Sequence, residues 1–207
     1  MLALQKADAI AKAPGAEFQS LRAWIVLTRG EVALFRGDHA SAAAEVGEAL
    51  TLAGPEYREI FLIARCIQAL AQAREGKAAA ATELANDAVA TARELGVPQL
   101  VSRSLLSSAE VHLLREDSAV ALSQAREAQR LCADAAQLDS EWRAWLFAGL
   151  ALRLAGNSAE AYDAAASGES RRSALQSRMG SDFYNTYSAR PDIKIFLNQL
   201  QELLQGS

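Results

Sequence analysis

The sequence predicts an all-α protein built as an array of antiparallel helix hairpins. The main observation is a frame of small residues that returns four times, with Ala or Gly seven residues before a turn and five and twelve residues after it. The turns lie at Gly37, Gly76, Glu116 and Gly156, which are 39, 40 and 40 residues apart. The twelve small positions are Gly30, Ala42, Ala49, Ala69, Ala81, Ala88, Ala109, Ala121, Ala128, Gly149, Ala161 and Gly168. A period of this length is typical of helical repeats.

Composition agrees with this prediction. Ala and Gly together make up 57 of the 207 residues, so a position taken at random is Ala or Gly about one time in four. Composition alone therefore does not explain why all twelve positions of the frame are Ala or Gly. Alanine favours helices and fills sheets poorly. Small side chains at a helix crossing let two helices approach closely, so the frame places the closest contact inside each hairpin.

The first thirteen residues match the second half of a repeat. Ala9 and Ile10 precede Ala49 and Leu50 by 40 residues. We therefore expect a helix over residues 2–13 that is half a repeat, cut from a longer protein. The alternative is that this helix is an N-terminal cap, which repeat arrays need for solubility.

Four full repeats follow within an array over residues 1–178. They are expected at 17–53, 56–95, 99–136 and 139–177, with helices over 17–36, 39–53, 56–75, 78–95, 99–115, 118–136, 139–155 and 158–177. Gly54-Pro55 and Gly96-Val97-Pro98 each combine a helix-ending glycine with a helix-opening proline. Asp117 or Ser118, and Asn157 or Ser158, are expected to cap the second helices of the last two repeats.

Residues 180–207 break the pattern. Gly180–Ala189 is an aromatic segment of one or two helical turns, and Pro191 is well placed as the first residue of a last helix. That helix carries one apolar stripe, formed by Ile193, Phe196, Leu197, Leu200 and Leu204. We expect it to cap the last repeat, with folding back into the groove of the array as the alternative.

The frame resembles the tetratricopeptide repeat. That family has a small residue before a Gly-Asn or Gly-Asp turn and two alanines after it, as in Gly30, Gly37-Asp38, Ala42 and Ala49. Trp145 also matches a tryptophan of the family. The resemblance covers residues 1 to about 177, although the unit here is about 40 residues rather than the usual 34. The longer unit is similar to repeats in large bacterial regulators, and the family implies a right-handed superhelix, an α-solenoid.

The resemblance also implies a concave groove lined by one face of each first helix. On that face the sequence is mostly apolar, so the leucines either line an apolar groove or belong to the ordinary core. Arg65, Gln68 and Gln72 stand on a face that the family would bury, which leaves the rotation of the first helices open. The candidate partner-binding residues are Trp24, Leu27, Glu31, Phe35, Cys66, Leu70, Arg103, Leu106, Glu110, Arg143, Leu146 and Leu150.

Several classes of function are disfavoured. The formal charge of −4 provides no attraction to nucleic acid or anionic lipid, and the longest uncharged run, Ala144–Leu152, is too short to span a membrane. His39 and His112 have no partners at metal-ligand spacing. Two distant cysteines, Cys66 and Cys132, indicate a reducing compartment, so we expect a cytoplasmic protein. No motif points to a cofactor or to catalysis.

The sequence therefore predicts a non-catalytic scaffold that binds a peptide or helix of a partner protein, as part of a larger bacterial regulator. One alternative is a domain that senses a ligand or signal peptide and switches an attached effector. Another is a self-assembling module that forms a homodimer. A basic cluster near the C-terminus could meet an acidic partner, but a solvated helix face is the favoured interpretation; it comprises Arg171, Arg172, Arg178, Arg190 and Lys194.

Overall fold

A computed structural model describes residues 2–12, 18–53 and 56–206 of the chain. The described residues form eleven helices and no strand, so the all-α prediction is confirmed. The chain divides into two compact units, Met1–Leu95 and Gly96–Ser207. The helix-ending pair Gly54-Pro55 lies outside the described residues, as do the predicted ends of helices at Ala13 and Glu17.

The described part of the first unit contains five helices, and each helix packs on the next one along the chain. Helix α2 pairs with α3, and α4 pairs with α5; α3 packs on α4, α2 lies beside α4, and α1 packs on α2. The bounds are α1 Leu2–Ala11, α2 Gln19–Phe35, α3 His39–Ala53, α4 Arg58–Arg74 and α5 Ala78–Leu95.

The second unit continues the same alternation through two hairpins and then adds two helices. Helix α6 pairs with α7 and α8 with α9, while α7 packs on α8 and α6 lies beside α8. Helices α10 and α11 both pack on α9, and α11 also packs on α8. The bounds are α6 Pro98–Leu114, α7 Ser118–Asp134, α8 Leu138–Leu154, α9 Ser158–Met179, α10 Ser181–Ser188 and α11 Pro191–Leu204.

Most predicted helix ends agree with the structure to within two residues. The helices over 39–53 and 78–95 have the predicted bounds. Asp117 and Asn157 are the N-caps of α7 and α9, since their side chains accept hydrogen bonds from the backbone N–H groups of Val120 and Glu160. These bonds satisfy amide groups that the first turn of a helix leaves without an internal partner.

All twelve small positions are buried. The nine alanines among them are at most 2% exposed. At Gly30 an added Cβ would lie 3.1 Å from Cγ2 of Val46 and 3.4 Å from the carbonyl oxygen of Ala42. The frame therefore lies in the core of every hairpin, and in the first and fourth hairpins it includes close approaches of the two helices, as the sequence predicts.

The four hairpin turns share one backbone conformation. Gly37, Gly76 and Gly156 have φ values of 78°, 78° and 80°, in the left-handed region that glycine adopts without steric cost. The turn between α6 and α7 holds Glu116 in the same region, with φ 60°. The sequence frame contains this exception, because Glu116 occupies the turn position that glycine occupies in the other three repeats.

The C-terminal stripe is shifted from its predicted register. Ile193, Phe196 and Leu200 are buried as expected, but Leu203 is buried where the sequence predicts Leu204, and Leu204 is only partly buried. The reason is the surface that α11 meets, because Cδ1 of Leu203 lies over Gly149, 2.9 Å from where a Cβ on that glycine would stand. The expected start of the helix at Pro191 and the short helix before it are confirmed.

Candidate partner-binding face

The twelve candidate residues separate into a buried group and a partly exposed group. Five are core residues, with at most 8% of their surface exposed: Leu27, Cys66, Leu106, Leu146 and Leu150. Four of these are leucines, and their burial agrees with the alternative that they belong to the core rather than line an apolar groove. Buried side chains of this kind hold a helix in place and offer a partner little surface.

In the first unit the partly exposed candidates belong to two neighbouring helices. Trp24, Glu31 and Phe35 lie on α2, and Leu70 lies on α4. Arg74 closes the same region at the end of α4, where its Nη1 donates a hydrogen bond of 3.3 Å to the backbone carbonyl of Leu34. A cation at this point is favoured because the C-terminal end of a helix carries a partial negative charge.

The polar face of α4 is directed toward α5. Nη2 of Arg65 lies 3.5 Å from Oδ2 of Asp87, and its Nη1 donates to Oγ1 of Thr91 at 3.3 Å. Gln68 and Gln72 of the same helix are partly buried. Because a third of the Arg65 side chain remains exposed, its charge keeps contact with water while its stem covers the hairpin. This contact accounts for Arg65, whereas Oε1 of Gln72 is buried without a hydrogen-bond partner among the described residues.

In the second unit Arg103 and Glu110 of α6 and Arg143 of α8 are partly buried. Nη2 of Arg143 lies 2.5 Å from Oδ2 of Asp139, one turn earlier in α8, and its Nε donates to the Asp139 carbonyl at 3.1 Å. Burial opposes the charge of Arg143, but the charge and hydrogen bond of Asp139, together with Tyr187 and Asp192, outweigh it, so the pKa of Arg143 is raised. Arg143 is therefore committed to an ion pair within the chain.

A network around Arg143 fastens the C-terminal segment, and no pattern in the sequence indicates it. The Tyr187 hydroxyl donates to Oδ1 of Asp139 at 2.5 Å and accepts from Nε1 of Trp142 at 2.9 Å. Burial alone would raise the pKa of Asp139. The charge of Arg143 and the hydrogen bond from Tyr187 lower this pKa by more than burial raises it, so the pKa lies below its ordinary value. Burial and the Asp139 charge both raise the pKa of Tyr187, which keeps its proton available for donation.

The basic cluster near the C-terminus is largely paired within the chain. Arg171 lies 3.1 Å from the buried carboxylate of Glu141. Arg172 forms a bidentate pair with Glu169, at 2.6 and 2.8 Å, and lies over the ring of Tyr184. Arg190 pairs with the buried Asp192 at 2.7 Å. Arg171 therefore joins α9 to α8 and Arg172 joins α9 to α10, whereas Arg190 pairs within the C-terminal segment.

Histidine, cysteine and acidic side chains elsewhere are the remaining candidates for a metal or reactive site. Among the described residues, no three His, Cys, Asp or Glu side chains are grouped so that they could hold a metal ion. His112 is buried, with Nδ1 3.2 Å from Oδ2 of Asp117, a partner that its sequence spacing does not indicate. Cys66 and Cys132 are both buried thiols. Across the part of the chain that the structure describes, no helix is long and apolar enough to cross a membrane.

Comparison with known proteins adds no assignment to this picture. No family model matches the chain, and no curated protein is similar to it in sequence. The resemblance to tetratricopeptide repeats therefore depends on the frame of small residues and turns within this chain.

Proposed function

We propose that this protein is a non-catalytic scaffold of the tetratricopeptide type that binds a helix or extended peptide of a partner protein. The observation that supports the proposal is the burial of all twelve small positions, three in each of four successive hairpins. In that family the hairpins stack into a right-handed superhelix, and the first helices present a binding face.

The face that we assign to the partner is formed by Trp24, Glu31, Phe35 and Leu70 of the first unit. These residues lie on α2 and α4, which pack side by side, and each keeps part of its surface exposed. Aromatic side chains dominate the binding energy of many protein interfaces because they bury a large area at a low cost in conformational entropy. We therefore expect a partner segment with apolar side chains at helical or extended spacing.

In the second unit the corresponding candidates are Arg103 and Glu110. Both are charged and partly buried, so they would orient a partner more than they would anchor it. Arg143 contributes to the fold through Asp139 and is not assigned to the partner.

Selection of peptides from a displayed random library on the full chain tests this proposal. Leu70→Glu places a charge in the assigned face, and we expect it to weaken binding of the selected peptides at least tenfold, because an apolar contact is replaced by an unpaired carboxylate. Ala80→Glu on the exposed surface of α5 is the matched control and should bind as the wild type does. Circular dichroism checks that both variants are folded. Equal affinity for Leu70→Glu and wild type would overturn the proposal.

Light scattering at several protein concentrations separates a foreign partner from a second copy of the chain. A mass of one chain throughout the range supports a separate partner. A concentration-dependent rise to two chains, abolished by Leu70→Glu, would assign this face to self-association instead.

A further inference from the structure

Helix α7 is flanked at both ends by residues in strained backbone. Glu116 precedes it with φ 60°, and Ala136 follows it with φ 52°. In the described part of the chain these are the residues other than glycine that have positive φ. The left-handed region brings Cβ close to the following carbonyl oxygen, so an L-residue stays there only while its surroundings hold it. A movement of α7 that unwinds these two turns would release this strain.

The buried side of α6 also carries several polar residues. Helix α6 buries four serines and a histidine: Ser102, Ser104, Ser107, Ser108 and His112. Three buried polar atoms of this hairpin have no hydrogen-bond partner among the described residues. They are Oγ of Ser108 and Nε2 of His112, one turn apart on α6, and Oε1 of Gln124 on α7. A buried polar atom without a partner destabilises the closed state, because water would satisfy it in the open state.

The repeat frame predicts that Ser108 and Gln124 face each other. They stand 79 residues after Arg29 and Glu45, and those two side chains meet across the first hairpin at 2.5 Å. In the last repeat the same two positions hold Ala148 and Ala164, which are both buried. The pair is therefore ionic in the first repeat, apolar in the fourth, and polar but unpaired in the third.

The Asp117 carboxylate joins the end of α6 to the start of α7 through side-chain contacts, beside the backbone hydrogen bonds that close the turn. Oδ1 of Asp117 accepts the capping hydrogen bond from the Val120 N–H at 3.4 Å, and its Oδ2 lies 3.2 Å from Nδ1 of His112. Both contacts are at the long end of the range for hydrogen bonds. The His112 contact is lost if α7 separates from α6, whereas the capping bond lies within the start of α7.

We propose that α7 is a conformational switch within the second unit, which separates from α6 while the hairpin α8–α9 stays folded. Three features combine: positive φ in the turns at both ends of α7, buried polar atoms of α6 and α7 without a partner among the described residues, and the contact of His112 with Asp117 at the start of α7. Helix α7 packs on both α6 and α8, so its movement changes how these two first helices are held. The switch is independent of the partner-binding face assigned to the first unit.

The two cysteines of the chain provide the test. Cys132 lies on α7 and is 0% exposed, while Cys66 lies on α4 and is 3% exposed. Burial raises the pKa of the Cys132 thiol, so the reactive thiolate forms when α7 opens. In the full chain, Cys66→Ala leaves Cys132 as the only thiol and Cys132→Ala leaves Cys66. The rate of reaction with an aromatic disulfide reagent is measured for each, and each rate is divided by the rate in the unfolded chain.

We expect Cys132 to react at least tenfold faster than Cys66. At low denaturant concentrations the rate for Cys132 should change little as denaturant is added, because the opening of one helix exposes little surface. In the Cys66→Ala background, Glu116→Gly and Ala136→Gly should each slow the reaction of Cys132 roughly fivefold, because glycine relieves the strain of the closed state. Glu116→Ala removes the same charge without relieving the strain and should not slow it.

A second pair of changes tests the polar interface separately. Ser108→Ala combined with Gln124→Ala copies the last repeat and should also slow the reaction of Cys132. The proposal is overturned if Cys132 reacts no faster than Cys66, or if its reaction follows global unfolding. It is also overturned if Glu116→Gly and Glu116→Ala have the same effect, or if the Ser108→Ala/Gln124→Ala variant does not slow the reaction.

Discussion

Helices α6 and α8 occupy the same place in successive repeats and differ in character at three matched buried positions. Where α8 buries Trp142, Phe147 and Leu152, α6 buries Ser102, Ser107 and His112, 40 residues earlier in each case. Both hairpins nevertheless have three buried small residues at the same offsets from their turns.

The comparison separates two levels of the fold. The small residues bring two helices together, and this can occur with an apolar or a polar interior. The remaining positions then decide how firmly the hairpin is closed. The apolar interior of α8–α9 is also covered by α11, with the rings of Phe147 and Phe196 edge to face at 5.4 Å. The interior of α6–α7 keeps polar atoms that find no partner in the described part of the chain.

The largest expected effect comes from removing the cover of α8–α9. Phe196 is 7% exposed, so Phe196→Ala should lower the free energy of unfolding of the second unit by about 3–5 kcal/mol. Phe183 of α10 is 74% exposed, and Phe183→Ala should change it by about 0.5 kcal/mol or less. Denaturant unfolding followed by fluorescence in a Trp24→Phe background reports this unit, because Trp142 and Trp145 both lie on α8. Equal effects of the two substitutions would contradict the packing of α11.

The frame that the two hairpins share is tested by Ala161→Leu. Ala161 is 2% exposed, and its carbonyl oxygen lies 3.2 Å from a Cβ built on Gly149. A leucine there should overpack the α8–α9 interface and cost about 1–3 kcal/mol in the same unfolding experiment. Ala159→Leu, at an exposed site of the same helix, is the control and should be nearly neutral. If both variants unfold like the parent, the small positions are not where the helices meet.

The sequence predicts the helices and their closest contacts because both depend on local periodicity. Gly30 and Ala42 are close in the chain and repeat at a fixed interval, so their burial could be anticipated. Contacts such as Tyr187 with Asp139 join residues 48 positions apart and leave no periodic trace. The register of α11 likewise depends on Gly149, which no pattern within α11 reveals.

The candidate partner-binding residues show a different limit. An apolar residue of a first helix recurs at the same spacing whether it lies in the core or lines a groove. Leu27 and Leu70 are therefore alike in the sequence, yet Leu27 is 2% exposed and Leu70 is only partly buried. Only the packing of neighbouring helices distinguishes the two roles.

The turns of the two hairpins differ at one residue, and Gly156→Ala makes the α8–α9 turn resemble that of α6–α7. An alanine at φ 80° should cost about 1–2 kcal/mol of stability of the second unit, measured as above. Space is not the reason, since none of the described residues lies within 4 Å of a Cβ at this position. Ala155→Gly, one residue earlier at the right-handed end of α8, is the control for flexibility alone. A Gly156→Ala variant as stable as the parent would mean that the turn relaxes without strain.

The smallest expected effect is a dependence of stability on pH that comes from the α8–α9 hairpin and not from α6–α7. The pKa of Asp139 is lowered in the folded chain, so its contribution to stability is present above its unfolded pKa of about 3.9 and is lost as the pH falls through the folded value. Asp139→Asn should therefore unfold at lower denaturant concentration than the parent at pH 7, and the difference should shrink below about pH 4. Asp163→Asn, at an exposed site of α9, should show no such dependence. A difference between Asp139→Asn and the parent that stays constant down to strongly acidic pH would show that the Tyr187 and Arg143 contacts do not depend on the carboxylate charge.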